Sequence, residues 1–154
     1  MKTLVLGLGN PILGDDGVGF CVVEELKKII QRKDVTLESA ALAGLELLDL
    51  LSGYDRVIII DAIQTGGRPG RIYRLSPDSL QTTSHAGTPH DVNFATALEL
   101  GKKLNIPLPR KMDILAIEAA DVTSFKETLT PDVAMAVPEC VKMVVRLLGE
   151  DKNP

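Results

Sequence analysis

The chain has 154 residues, 45% of them hydrophobic and 25% charged, with 13 glycines and 9 prolines. Such usage excludes disorder and collagen-like repeats, and the length suits a single domain, 1–154. A net charge of −4, from 17 basic and 21 acidic residues, has the wrong sign for a domain that grips nucleic-acid backbone. No apolar run approaches the roughly 18 residues that span a bilayer. The first residues lack the apolar region and cleavage site of a signal peptide. A cytoplasmic protein with no membrane or nucleic-acid partner is expected. It should be a monomer, since no surplus apolar stripe demands a neighbour. Cys21 and Cys140 both fall in helical apolar patterns and read as buried free thiols in a reducing compartment.

Thr3 to Gly7 reads as a strand buried on both faces, running into Gly-Leu-Gly-Asn-Pro. From Asp16 the period changes: Val18, Val22, Leu26 and Ile29 recur at helical spacing, giving an amphipathic helix to about Gln31. Val35 to Glu38 is a second, brief strand. Ala43 to Leu51 is a short helix with Leu45, Leu48 and Leu51 inward. Val57 to Ile60 is a third strand that stops at Asp61. Beyond a Gly- and Pro-rich turn, Arg71 to Leu75 is a fourth strand. The short link predicts it antiparallel to the third. Ser76 to Pro89 is polar and reads as a functional loop or lid. Asp91 to Leu104 is a helix with Phe94, Ala97, Leu98 and Leu104 inward. Asp113 to Ile117 is a fifth strand, ending at Glu118. Thr130 and Pro131 open the last helix as N-cap and first-turn proline. Its stripe is Val133, Ala136, Val137, Cys140, Val141 and Val144, and Pro138 should kink it.

This alternation predicts an α/β three-layer sandwich: about five strands in a mostly parallel twisted sheet, with helices on both faces. Sites in such sheets lie beyond the carboxyl ends of the strands. That rule selects Gly9, Asn10, Asp15 and Asp16 after strand one, Asp61 after strand three and Glu118 after strand five. The Gly-rich turn is no dinucleotide fingerprint, because Ile12 stands where the third glycine belongs. Two carboxylates there would also repel a pyrophosphate. One aspartate suffices to cap a helix, so Asp15 serves as cap and Asp16 is the functional candidate. Asp61, close to a buried strand end, needs a partner, a hydrogen bond or a cation. Of the two histidines, His85 and His90, the second precedes Asp91, an expected N-cap position that would keep the imidazole neutral and able to ligate metal. Asp16, Asp61 and His90 together suit nickel, zinc, manganese or iron.

These residues resemble the hydrogenase maturation endopeptidases, which process the large subunit of nickel–iron hydrogenases. The resemblance rests on Leu4 to Asn10 followed by Gly14-Asp15-Asp16-Gly17-Val18-Gly19. It continues through Ala43 to Leu48, Ile60-Asp61-Ala62, Thr88-Pro89-His90 and Leu129-Thr130-Pro131. It implies a twisted sheet between helices and cleavage of one bond near the C-terminus of the precursor, after nickel has been inserted. It also implies that Asp16, Asp61 and His90 are the catalytic, metal-contacting residues, meeting nickel presented by the precursor. There are two departures. Glu38-Ser39-Ala40-Ala41 stands where many relatives carry Asp-Gly-Gly-Thr, and Pro11 follows Asn10. Two rivals remain: a non-catalytic nickel-sensing or chaperone module for the precursor, and a peptidyl-tRNA hydrolase-like hydrolase. The latter shares the Gly-Leu-Gly-Asn-Pro turn, but this chain lacks its Arg-His-Asn sequence.

Overall fold

A computed structural model describes residues 1–42, 45–77 and 97–150. The sheet has five strands: β1 (Thr3–Leu8), β2 (Val35–Ala40), β3 (Arg56–Ile63), β4 (Ile72–Leu75) and β5 (Lys111–Glu118), in the order β2-β1-β3-β5-β4. The first three and β5 are mutually parallel, and β4 runs antiparallel beside β5. The fourth strand thus has the direction expected from the sequence but not the expected neighbour. Both edges of β3 are occupied, by β1 and β5, so no hairpin can close on it. The link instead passes the end of β5, where Gly70 N–H donates to Glu118 C=O and Glu118 N–H to Arg71 C=O, each at 2.8 Å.

A 3₁₀ turn at Gly14–Gly17 leads into α1 (Val18–Lys27). The other helices are α2 (Leu45–Leu51) and α3 (Pro131–Glu150), and residues 97–103 are also helical. One face of the sheet, carrying Val5, Ile58, Ile60, Leu115 and Ile117, packs against Val18, Val22 and Leu26 of α1 and Val133, Val137, Cys140 and Val144 of α3. The other face, carrying Leu4, Leu6, Leu8, Val57 and Ile59, packs against Leu47, Leu51 and Leu98. Every residue of β1 and β3 is buried. That explains why their sequences are continuous apolar runs and not alternating ones. Pro138 sits inside the uninterrupted α3, where it removes one backbone donor. Among the described residues no helix is long and apolar enough to cross a membrane.

Several boundaries shift from the sequence reading. Helix α1 ends at Lys27, so Ile29 is exposed, and Leu104, expected inward, is exposed as well. The third strand continues to Ile63, which places Asp61 inside it. The expected helix residues 43–44 and 91–96, Phe94 among them, lie outside the described residues, as does most of the polar loop.

The glycines of the first motif serve close packing. A Cβ on Gly7 would lie 2.4 Å from the Gly19 carbonyl oxygen. One on Gly19 would lie 2.5 Å from that of Ile60 and 2.9 Å from that of Leu8. The start of α1 therefore presses directly onto β1 and β3. Alanine is worth about 1 kcal/mol over glycine inside a helix. At Gly19 the clash is with backbone atoms that cannot rotate away, and it outweighs that gain. G19A should lose roughly 1–3 kcal/mol, a fall in Tm of about 2–4 °C per kcal/mol, read by thermal denaturation.

Near the amino ends of β3 and β5, on the α1/α3 face, Arg56 is fully buried. Its Nη2 donates to Asp113 Oδ2 and its Nη1 to the Leu147 carbonyl of α3, each at 2.9 Å. Arg74 of β4 donates Nε and Nη2 to Asp113 Oδ1 at 3.2 and 3.0 Å. Burial alone would push the Asp113 carboxyl up, but the hydrogen bonds and charges of the two arginines outweigh it and hold it below its ordinary value. A depressed carboxyl stabilises the fold above its unfolded pKa of about 3.9 and loses that contribution as pH falls through the folded value. D113N strands the buried Arg56 charge and should cost about 3–5 kcal/mol at pH 7. The gap from the unaltered protein should narrow in urea titrations as the pH falls below the ordinary carboxylate range.

Candidate active site at the strand ends

The chain order of the sheet sets where a site can form. From β1 the chain crosses through α1 to β2 on one side, while β3 lies on the other. The connections therefore diverge between β1 and β3. The crevice at their carboxyl ends is the topological switch point, where open α/β sheets bind ligands. Asp16, in the 3₁₀ turn that follows β1, and Asp61, near the end of β3, come from the two elements that flank it. The side chain of Asp61 lies on the same sheet face as Ile59, since Ile60 and Ala62 belong to the opposite core. That face is covered by α2 and by Leu98, eight residues after His90. His85 and His90 themselves lie outside the described residues.

Both aspartates are buried, Asp16 at 7% exposure and Asp61 at 4%. Asn10 N–H donates to Asp16 Oδ2 at 2.9 Å, and Asn10 Oδ1 in turn accepts from Ile12 N–H at 3.2 Å. Ala62 N–H donates to Asp61 Oδ1 at 2.8 Å. Gly9, at φ +141°, makes room for this turn, because a Cβ there would sit 1.9 Å from the Asp16 carbonyl oxygen. Each aspartate thus has one carboxylate oxygen fixed by a backbone donor. Among the described residues no three His, Cys, Asp or Glu side chains gather closely enough to hold a metal by themselves.

Asp15 has a different task, and it is not the cap expected from the sequence. The 3₁₀ turn has Leu13 as its N-cap and no side-chain capping bond. Asp15 is instead wholly buried. Its Oδ2 accepts from Ala120 N–H, Asp121 N–H and Thr130 Oγ1–H at 2.9, 3.0 and 2.8 Å, and its Oδ1 accepts from Thr130 N–H at 2.7 Å. It ties the loop after β1 to the loop after β5 and to the residue that precedes α3. Asp121, in that second loop, accepts from Ser124 and Thr123, which hold its carboxyl at about 2.

Glu118, at the end of β5, is almost wholly buried. It accepts from Thr65 N–H at 2.8 Å, from Thr65 Oγ1–H, and from Tyr73 Oη–H at 3.0 Å. It anchors the link between β3 and β4. Sequence reading found Glu118 but not Thr65, Tyr73 or Arg71 beside it. The guanidinium of Arg71 lies 5.0 Å over the Tyr73 ring. The pattern Arg71-x-Tyr73 in a short strand was the available signal. The cysteines are no nucleophiles. Burial pushes the Cys140 thiol up to about 12, and partial burial with Glu25 and Glu24 nearby raises that of Cys21.

Comparison with known proteins bears directly on this arrangement. The family model described as hydrogenase maturation protease matches residues 20–147. The chain is 28% identical to the hydrogenase 2 maturation protease of Escherichia coli K12, over 97% of its own length and 92% of that protein. It is 27% identical to the hydrogenase expression/formation protein HupD of Rhizobium leguminosarum bv. viciae, covering 96% of this chain and 74% of the other. The hydrogenase maturating endopeptidase HybD from E. coli superposes with a TM-score of 0.82 at 28% identity, covering 98% and 94% of the two chains. A matching family model over most of the sequence and a shared architecture lead to one conclusion: this chain belongs to the hydrogenase maturation protease family.

Proposed function

We propose that this peptidase removes a C-terminal peptide from the precursor of a nickel–iron hydrogenase large subunit once nickel has been inserted. One observation carries the reading: Asp16 and Asp61 flank the β1–β3 switch point, while their neighbour Asp15 is consumed by a structural role. In this reading Asp16, Asp61 and His90 contact nickel that the precursor presents, as part of the substrate. Two carboxylates and an imidazole are a donor set suited to that ion. The need for such contact makes cleavage conditional on loading. Two routes lead from the contact to the cut. In one, a water polarised by the ion attacks the peptide carbonyl. In the other, the ion serves for docking and an acidic residue is the base, an aspartyl-type chemistry. The raised thiol pKa values of Cys21 and Cys140 argue against an acyl-enzyme through sulfur. The reading also takes the chain to act as a cytoplasmic monomer, where both free thiols stay reduced.

Intact-mass measurement after mixing with nickel-loaded and nickel-free precursor tests the proposal. Loss of a C-terminal peptide from the loaded form alone is expected. Stable binding without any mass change would favour the docking module instead. The paired aspartates should separate cleanly. D16N, D61N and H90A should abolish processing with Tm close to that of the unaltered protein. D15N turns an amide hydrogen against the N–H and O–H groups that Asp15 accepts. It should cost roughly 1–3 kcal/mol of stability in urea titration. If D15N were neutral and D16N unfolded the protein, the assignment of roles would be reversed.

A further inference from the structure

Among the described residues the most exposed large hydrophobic side chain is Phe125, at 84%. The chain has only three Phe, two Tyr and no Trp, so one of its few aromatic rings is left in solvent. Ile12, at 46%, is exposed as well. Apolar residues scattered singly on a surface need no explanation. These two are not scattered, because their segments are bonded backbone to backbone. Lys126 N–H donates to Ile12 C=O at 3.0 Å, and Gly14 N–H donates to Lys126 C=O at 2.8 Å.

Both segments are held rigidly. The turn that displays Ile12 is the turn that holds Asp16. Ile12 N–H donates to Asn10 Oδ1 at 3.2 Å, Asn10 N–H to Asp16 Oδ2 at 2.9 Å, and Asp16 N–H to Leu13 C=O at 3.1 Å. Pro11 fixes one dihedral angle of that turn. Its main chain rests on Gly17, where a Cβ would lie 2.9 Å from Pro11 Cα. The loop of Phe125 is set by Asp121, whose Oδ1 accepts from Thr123 N–H and Ser124 N–H, each at 3.0 Å. The Asp121 carbonyl also accepts from Asp15 N–H at 2.8 Å. In the sheet β3 lies between β1 and β5. The loops that follow β1 and β5 therefore join past the carboxyl end of β3, the strand that carries Asp61. Ile12 and Phe125 thus stand on the rim of the crevice to which Asp16 belongs.

We infer that Ile12 and Phe125 form an apolar docking rim for the protein substrate. It takes an exposed apolar side chain of the precursor beside the group that Asp16 contacts. The inference rests on the function proposed above and names a substrate-positioning surface for it. Continuity with the site selects this occupant: a protein whose metal reaches Asp16 meets the same turn at Ile12. Area argues against a second copy of this chain. A buried Phe covers about 150–250 Å². Even with Ile12 beside it, the rim falls far short of the roughly 1,200–2,000 Å² of a stable interface. The crevice must supply the rest of the contact. A ring on fixed backbone also gives up little freedom when it is covered, which suits an anchor.

The test measures processing of the cognate nickel-loaded precursor at steady state, and its equilibrium binding, with the unaltered protein, F125S, F125L and I12S. F125S should raise KM and Kd about tenfold, the loss of one anchor, with kcat within about twofold. I12S should show a smaller rise, and F125L should recover most of what F125S loses. Tm should not move, since neither side chain belongs to the core. Exposed apolar residues around the cleaved bond of the precursor are also changed singly to serine. One of them should show the same loss with the unaltered protein and no further loss with F125S. Unchanged KM and Kd in both F125S and I12S overturn the inference. A fall in kcat at constant KM also overturns it, because the rim would then support Asp16 without touching substrate. A dimer in sedimentation that F125S disperses overturns it too, since a second copy then covers the rim. If the unaltered protein binds the loaded precursor without cutting it, the endopeptidase reading fails, while the Kd of F125S still decides the rim. Absence of both binding and cutting overturns both.

Discussion

A single buried carboxylate holds the functional end of this molecule together. Asp15 accepts four hydrogen bonds from three residues that are more than a hundred positions away in the chain. A charge so enclosed would be costly without partners; with four donors it becomes a rigid junction. Thr130, which it holds through both hydroxyl and backbone, leads directly into the 20-residue α3. Asp16 follows Asp15 in the chain, and its position is inherited from the junction. Adjacent residues of one type thus differ in role: Asp15 fixes four backbone and hydroxyl donors from across the fold, while Asp16 accepts from Asn10 in its own turn.

The two ends of the sheet are built on opposite electrostatic plans. Towards the amino ends of β3 and β5, on the α1/α3 face, Asp113 is matched by two arginines, one wholly buried and one half exposed. Arg74 contributes less of the stabilisation, because solvent screens it. At the carboxyl ends Asp16, Asp61 and Glu118 are held by backbone N–H and hydroxyl donors. The amino-end carboxylate is thus matched by charged partners, whereas Glu118 at the carboxyl end accepts from neutral donors.

Much of this was legible in the sequence. Buried strands announce themselves as apolar runs, and β1 and β3 are of that kind. The Gly-rich turn, Asp16 and Asp61 followed from where such strands end. What escaped were features set by distant partners. The neighbour of β4 could not be read from loop length, because it depends on β5 having claimed the edge of β3 first. Asp15 looked like a helix cap because its four donors are remote in the chain. Arg56 resembled any surface arginine, since its burial depends on Asp113 and on the Leu147 carbonyl. His90 was picked out by its place before Asp91, and the family resemblance pointed to the same residue.

The close approach of backbone to backbone around the first motif limits how the molecule can be altered. Gly7, Gly9, Gly17 and Gly19 each face main-chain atoms within 3 Å of where a side chain would start. Side chains cannot be added there without moving the strands themselves. The stretch between β1 and α1 is thus a chassis written in main-chain atoms, closed to gradual redesign. Any retuning toward a different protein substrate must be written on neighbouring surfaces that tolerate side chains. Substitution is in this way confined to the surfaces around the motif, which can drift while the motif itself stays still.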